Sequence, residues 1–180
     1  MKKVTYGCVL FCGLIVAVAA SSLFAQTTSP ILAKELGAFW DRAAKDMLDV
    51  AEAMPEEKYD FKPVPQVQTF REQLVHLSSL VQRSIDAAQG TKTEEAHKTM
   101  TKAEAIGHLK QKFQTGREMF ASLTDAQMLE QVKPVRGDQM VTRYGFWLGP
   151  LYQVRNHHGQ LVVYLRLNDV VPPTTARRPR

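Results

Sequence analysis

The chain contains very little cysteine. Cys8 and Cys12 are the two cysteines among its 180 residues, and both lie close to the N-terminus. If the segment that carries them is removed, the rest of the protein has no disulfide, no thiol nucleophile and no thiolate metal ligand. Chemistry that depends on cysteine is therefore excluded for the remaining 155 residues, 26–180.

That N-terminal segment is typical of a secretory signal peptide. Two lysines follow Met1, an uncharged stretch runs from Val4 to Ala20, and small residues lead to a cleavage junction at Ala25-Gln26. We expect a signal peptide over residues 1–25 and export of the mature protein, to the periplasm or beyond the cell. The alternative is an uncleaved anchor, since the stretch is about the ~20 residues that cross a bilayer, and only then is a membrane attachment expected.

The chain also lacks a basic face and several sequence motifs of enzymes. Its net charge of +5 comes from Lys2 and Lys3 and from the last four positions, and the other 18 basic residues equal the 18 acidic ones. A nucleic-acid partner is therefore not expected, and residues 171–180 are predicted to be a flexible basic tail. There is no Gly-x-Ser-x-Gly, no phosphate-binding loop, no Gly-x-Gly-x-x-Gly and no His-Glu-x-x-His.

What the chain does have is helical periodicity. Apolar residues recur every three or four positions over 31–54, from Thr69 to Gly90, and from Thr101 to Leu123. A last helix runs from Tyr144 or Pro150 to Asn168, and no segment alternates with a period of two. The pattern predicts an all-α four-helix bundle over residues 30–170, with a short helical piece near Thr124 and Gln127 and a connection over 133–141.

Three of the five histidines are candidates for a functional site. His76 lies at the margin of the apolar face of the second helix, where a hydrogen-bonded core histidine is the common alternative to a ligand. His157 and His158 are neighbours on the last helix, so they point about 100° apart. His157 shares a polar face with Gln153 and Gln160, whereas His158 borders an apolar stripe. His157 is therefore the candidate for chemistry.

Two segments resemble a known family. "MPEEKYDFKPVPQVQTFREQLVHL", residues 54–77, and "NHHGQLVVYLRLNDVVPP", residues 156–173, resemble the first connection, second helix and last helix of DinB-like proteins. The resemblance covers nearly the whole mature chain. It implies a four-helix bundle, a homodimer and a divalent metal, zinc or nickel, held by three histidines.

The resemblance also implies the ligands. The histidine of the second helix is matched by His76 and the last histidine by His157, but the position four residues before it is Gln153 instead of histidine. The predicted metal site is therefore His76, Gln153 and His157, with a neutral carbonyl oxygen as the third ligand. The spacing of four keeps Gln153 and His157 on one face of the helix.

Two functions follow as expectations. The first is a metal-dependent enzyme acting on an unidentified small molecule, either a hydrolase or a transferase. Hydrolysis is favoured, because the thiols used by the transferases of the family are cytosolic and this chain carries an export signal. The second is a non-catalytic bundle with a degenerate metal site, which binds a small ligand or a protein partner.

Overall fold

The computed structural model describes residues 30–91 and 100–177. These residues are mostly helical, which confirms the predicted all-α class. In chain order the elements are helix α1 (Ile31–Ala53), a 3-10 turn (Glu56–Lys58), α2 (Phe70–Gln89), α3 (Lys102–Ala121), α4 (Asp125–Leu129), strands β1 (Gln131–Val132) and β2 (Val141–Thr142), α5 (Arg143–Arg166) and α6 (Pro173–Ala176).

The helix ends follow from local sequence. Three helices begin with a capping box, in which a threonine hydroxyl accepts from a backbone N–H and the third helical residue bonds back to the threonine N–H. The pairs are Thr69–Glu72 for α2, Thr101–Glu104 for α3 and Thr124–Gln127 for α4. Gly90 ends α2 with a φ of 70°, which glycine adopts without steric cost. These predicted boundaries are confirmed.

Each long helix packs against two others. Helix α1 contacts α3 and α5, and α2 contacts the same two helices, so the four surround a shared apolar core. Trp40 of α1 lies at its centre, with its ring edge-on to Phe113, Phe120 and Trp147 and its indole N–H donating to the Phe113 carbonyl at 2.9 Å. The indole sits directly against Gly116 of α3, where a Cβ would lie 2.6 Å from the Trp40 ring. A residue without a side chain is thus what lets α1 and α3 approach here.

The connection before α5 differs from its prediction. It contains an antiparallel hairpin in which Gln131 faces Thr142 and Val132 faces Val141. A strand of two residues is too short to produce an alternating pattern, which is why periodicity does not reveal it. Thr142 then caps α5, so this helix starts beside Tyr144, and Pro150 is an interior position of the helix instead of its start.

The C-terminal residues pack against α1. The short helix α6 occupies part of the predicted tail, and Arg177 forms ion pairs with Asp46 and Asp49. Residues 171–177 therefore have a packed arrangement that the prediction of a flexible tail did not include. The predicted signal peptide and the last three residues lie outside the described residues. Within residues 30–91 and 100–177, no helix combines the length and apolar character that crossing a membrane requires.

Candidate functional site

Helices α2 and α5 run antiparallel and bring the predicted site residues together. Three contacts fix their register: the Tyr164 hydroxyl donates to the Gln68 carbonyl at 2.7 Å, the Gln73 amide nitrogen donates to Gln160 at 3.2 Å, and the His76 and His157 rings are neighbours. Residue numbers increase along α2 in the direction in which they decrease along α5. Residues between 81 and 96 positions apart in sequence are thereby placed side by side.

His157 lies inside the protein, facing α2. Its side chain is 6% exposed, and its Nδ1 is 2.6 Å from the Oε1 of Gln73, which is equally buried. Burial lowers the pKa of His157 below the ordinary 6.5, and the nearby His76 adds to this effect. The imidazole is therefore neutral at neutral pH, and its Nε2 is the ring nitrogen not used by Gln73.

His76 lies beside it on α2. The ring centroids of the two histidines are 5.4 Å apart, and the ring planes are inclined by 60°. His76 is half-buried. Its pKa is lowered, mainly by burial and further by the positive charges of Arg83 and Arg136. Arg83 is two turns further along α2 on the same face, and Arg136 belongs to the loop between the two strands.

Gln153 lies one helical turn before His157 on α5 and is half-buried. The structure thus brings His76 and His157 together from two helices and places Gln153 on the neighbouring turn of the second. The proposal that all three bind one metal stays a prediction.

His158 faces a different part of the molecule. It is buried, and the buried Val154 and Leu161 lie four residues before and three residues after it on the same face of α5. Burial lowers its pKa, Arg155 lowers it further, and Asp46 of α1 opposes the shift. Its Nε2 has no hydrogen-bond partner among the residues that the structure describes. The two adjacent histidines therefore point into different environments, as their angular separation predicts.

Ring spacing and protonation state both bear on whether the two histidines could share a metal ion. Two imidazoles bonded to one tetrahedral zinc at about 2.0–2.1 Å have ring centroids roughly 5 Å apart, and the observed 5.4 Å agrees with this value. Both histidines are in the neutral form that binds metal. Over residues 30–91 and 100–177, no group of three His, Cys, Asp or Glu residues is arranged to hold an ion. Two of the three positions fit, and the third depends on the weaker carbonyl oxygen of Gln153.

Sequence reasoning missed Gln73. It occupies a buried position on α2, at the helical spacing shared by the core residues Phe70 and Leu77. A glutamine at that spacing breaks the apolar stripe. This was the available signal, because a buried amide requires a hydrogen-bond partner.

Comparison with known proteins agrees with this fold. No curated protein matches the chain. Among solved structures, the chain is similar to a DinB-like protein from Bacillus cereus (TM-score 0.63, 12% identity, 74% of this chain and 91% of that chain). It is also similar to a DinB-like protein from Bacillus subtilis (TM-score 0.61, 17% identity, 75% and 92%). A third similar structure is a conserved protein from Enterococcus faecalis (TM-score 0.58, 16% identity, 74% and 95%).

At these identities the likeness shows the fold alone. The family itself is shown by sequence, because the DinB superfamily model matches residues 40–161. The chain belongs to the DinB superfamily.

Proposed function

We propose that this protein is an exported metal-dependent enzyme, of hydrolase type, in which His76, Gln153 and His157 hold one zinc or nickel ion. The observation that carries the proposal is the contact between the His76 and His157 rings, 5.4 Å apart and contributed by two different helices. Two neutral imidazoles this close, contributed by two helices, could share a divalent ion.

The chain's own residues would prepare this site. Burial keeps His157 and His76 neutral, so neither must lose a proton before it binds. Gln153 would add a neutral oxygen from the same face as His157. A divalent ion bound there would lower the pKa of a coordinated water or polarise a carbonyl or phosphoryl oxygen.

The surroundings of His76 favour a substrate with a negative group. The positive charges of Arg83 and Arg136 both lower the pKa of His76. A carboxylate or phosphate near the histidines would be attracted by the same two charges. Esters and amides that carry a negative group are therefore the first substrates to test.

Export is the reason to favour hydrolysis over thiol transfer. The pattern of residues 1–25 supports secretion, and both cysteines lie within it. The mass of the mature N-terminus separates a cleaved leader from an anchor. A chain that begins at Gln26 supports an exported protein, and a chain that keeps residues 1–25 on a membrane supports the anchored alternative.

A second candidate function has its own observation. Gln153 stands where the family resemblance implies a third histidine, and the described residues include no group of three His, Cys, Asp or Glu arranged for a metal. The polar residues between α2 and α5 instead form a hydrogen-bonded network from His157 through Gln73 to Gln160. In this alternative the site is degenerate, and the protein binds a small ligand or a protein partner, including a second copy as the family resemblance implies.

Metal content distinguishes the two. Untagged mature protein is loaded with zinc or nickel, desalted and measured by elemental mass spectrometry beside a His76→Ala/His157→Ala double variant. His158→Leu is the matched control, because His158 is a buried neighbour that faces elsewhere. The proposal expects about one ion per chain in wild type and control and none in the double variant.

A further variant tests the missing ligand. Gln153→His places two histidines four residues apart on one face of α5, so it should bind metal more tightly than wild type. If wild type stays empty after loading while Gln153→His fills, the site is degenerate and the metal-dependent function fails. Equal metal content in wild type and in the double variant would contradict the proposed ligands.

A further inference from the structure

Gln73 and His157 are joined by a short hydrogen bond in the interior. The two side chains come from α2 and α5, each is 6% exposed, and Gln73 Oε1 lies 2.6 Å from His157 Nδ1. The other end of the same amide is also engaged, because Gln73 Nε2 donates to Gln160 Oε1 at 3.2 Å. The order Gln160–Gln73–His157 is thus a continuous chain of hydrogen bonds.

With the Gln73 amide oriented as in the structure, this chain of hydrogen bonds places the proton of His157 on Nδ1. A carbonyl oxygen can only accept, so a bond to Gln73 Oε1 requires the hydrogen on Nδ1. A neutral imidazole has one N–H, and Nε2 is then left with a free lone pair. Turning the Gln73 amide over by itself would place its oxygen against the carbonyl oxygen of Gln160, which cannot donate, so the opposite tautomer requires both amides to turn together.

We infer that Gln73 is a positioning residue that holds His157 in the Nδ1–H tautomer and presents Nε2 as the site's ligand atom. The tautomer rests on the orientation of the Gln73 and Gln160 amides in the structure, whereas the ligand role of Nε2 rests on the proposed function. Metal-binding histidines in general donate their second N–H to a carbonyl or carboxylate, which fixes the ring and raises its basicity. In this protein a glutamine on the facing helix performs that task.

The tautomer can be read directly in the metal-free protein. Chelator-treated, 15N-labelled protein is studied by long-range 1H–15N correlation NMR at a pH at which the histidines are neutral, and His157 is assigned by comparison with His157→Gln. The inference expects a protonated Nδ1 and an unprotonated Nε2. A wild-type spectrum with the proton on Nε2 would overturn it, whatever the variants do.

Variants then show that Gln73 is the cause. Gln73→Leu removes the acceptor, so the population of the Nε2–H tautomer should rise, whereas Gln73→Glu keeps an acceptor and should keep the tautomer. Gln82→Leu is the control, because Gln82 is on the same helix and its amide bonds to Asp86 instead of a histidine. An unchanged His157 spectrum in a folded Gln73→Leu protein would also refute the inference.

Zinc titration separates this inference from the proposed function. Loss of an outer partner of a metal-bound histidine weakens binding by about 10- to 100-fold, so Gln73→Leu should lose that much affinity and Gln73→Glu should recover it. If wild type shows the Nδ1–H tautomer but binds no zinc, the positioning role stands and the metal function fails. If wild type binds zinc with the proton on Nε2, the positioning role fails alone.

Discussion

Replacing each of the adjacent histidines by leucine should change stability in opposite directions. His157 and His158 are consecutive, nearly equally buried and in the same helix. They differ in their hydrogen bonds. His157 bonds to Gln73 at 2.6 Å, whereas Nε2 of His158 is buried without a partner among the described residues.

The size of each effect follows from that difference. In His158→Leu a buried polar atom without a partner is removed, and such an atom costs about 1–3 kcal/mol. The new side chain lies between Val154 and Leu161, so the variant should gain about 1 kcal/mol of folding stability. In His157→Leu the Oε1 of Gln73 loses its donor while remaining buried, which costs about 1–3 kcal/mol. Taken together with the gain of about 1 kcal/mol in His158→Leu, this loss makes the two unfolding free energies differ by roughly 2–4 kcal/mol.

Urea unfolding of the chelated proteins measures this difference. With an m-value of about 2 kcal/mol/M, the two midpoints should lie roughly 1–2 M apart, with wild type between them. Chelation removes any contribution of bound metal to wild-type stability. If His158→Leu lost as much stability as His157→Leu, the assignment of different environments to the two histidines would be wrong.

Two further predictions concern packing and pH. Gly116→Ala places a Cβ 2.6 Å from the Trp40 ring and should lower the folding stability by about 1–3 kcal/mol. Gly107→Ala, on the exposed side of the same helix, meets nothing within 4 Å and should raise the stability by about 0.5–1 kcal/mol. Equal thermal midpoints of the two variants would contradict the close approach of α1 and α3. The α2 and α5 histidines have pKa values below 6.5, so the unfolded chain binds more protons than the folded one just below that value. Their contribution to stability should be complete above about pH 6.5 and lost as the pH falls below it, and a flat profile of urea midpoints against pH would disprove this.

Helix boundaries could be predicted from sequence because their causes are local. A capping box such as Thr69–Glu72 is contained in four residues, and the same holds for Gly90 at the end of α2. The two-residue strands were not predicted, because pairing of Val132 with Val141 depends on two segments meeting and not on a pattern within either. The packing of Arg177 on Asp46 escaped for the same reason.

The candidate site could be predicted in part. His76 and His157 were singled out by helix position and family resemblance, and the structure places their rings together. Their contact depends on the antiparallel register of α2 and α5. The same register brings the Tyr164 hydroxyl within 2.7 Å of the Gln68 carbonyl oxygen, although the two residues are 96 positions apart in sequence. No local pattern encodes that register. The partner of His157 was missed accordingly, since Gln73 becomes meaningful only when the facing residue is known.

The two histidines differ in how far folding alone explains them. His157 is joined to Gln73 and through it to Gln160, so it helps to specify how α2 faces α5 even without a metal. His76 makes no such bond to the described part of the chain, and its half-buried imidazole is held neutral beside another imidazole and near two cations. A structural network therefore accounts for His157 but not for His76, so loss of zinc binding in a folded His76→Ala protein is the most direct test of the proposed ligand role, and unchanged zinc binding in that variant would refute it.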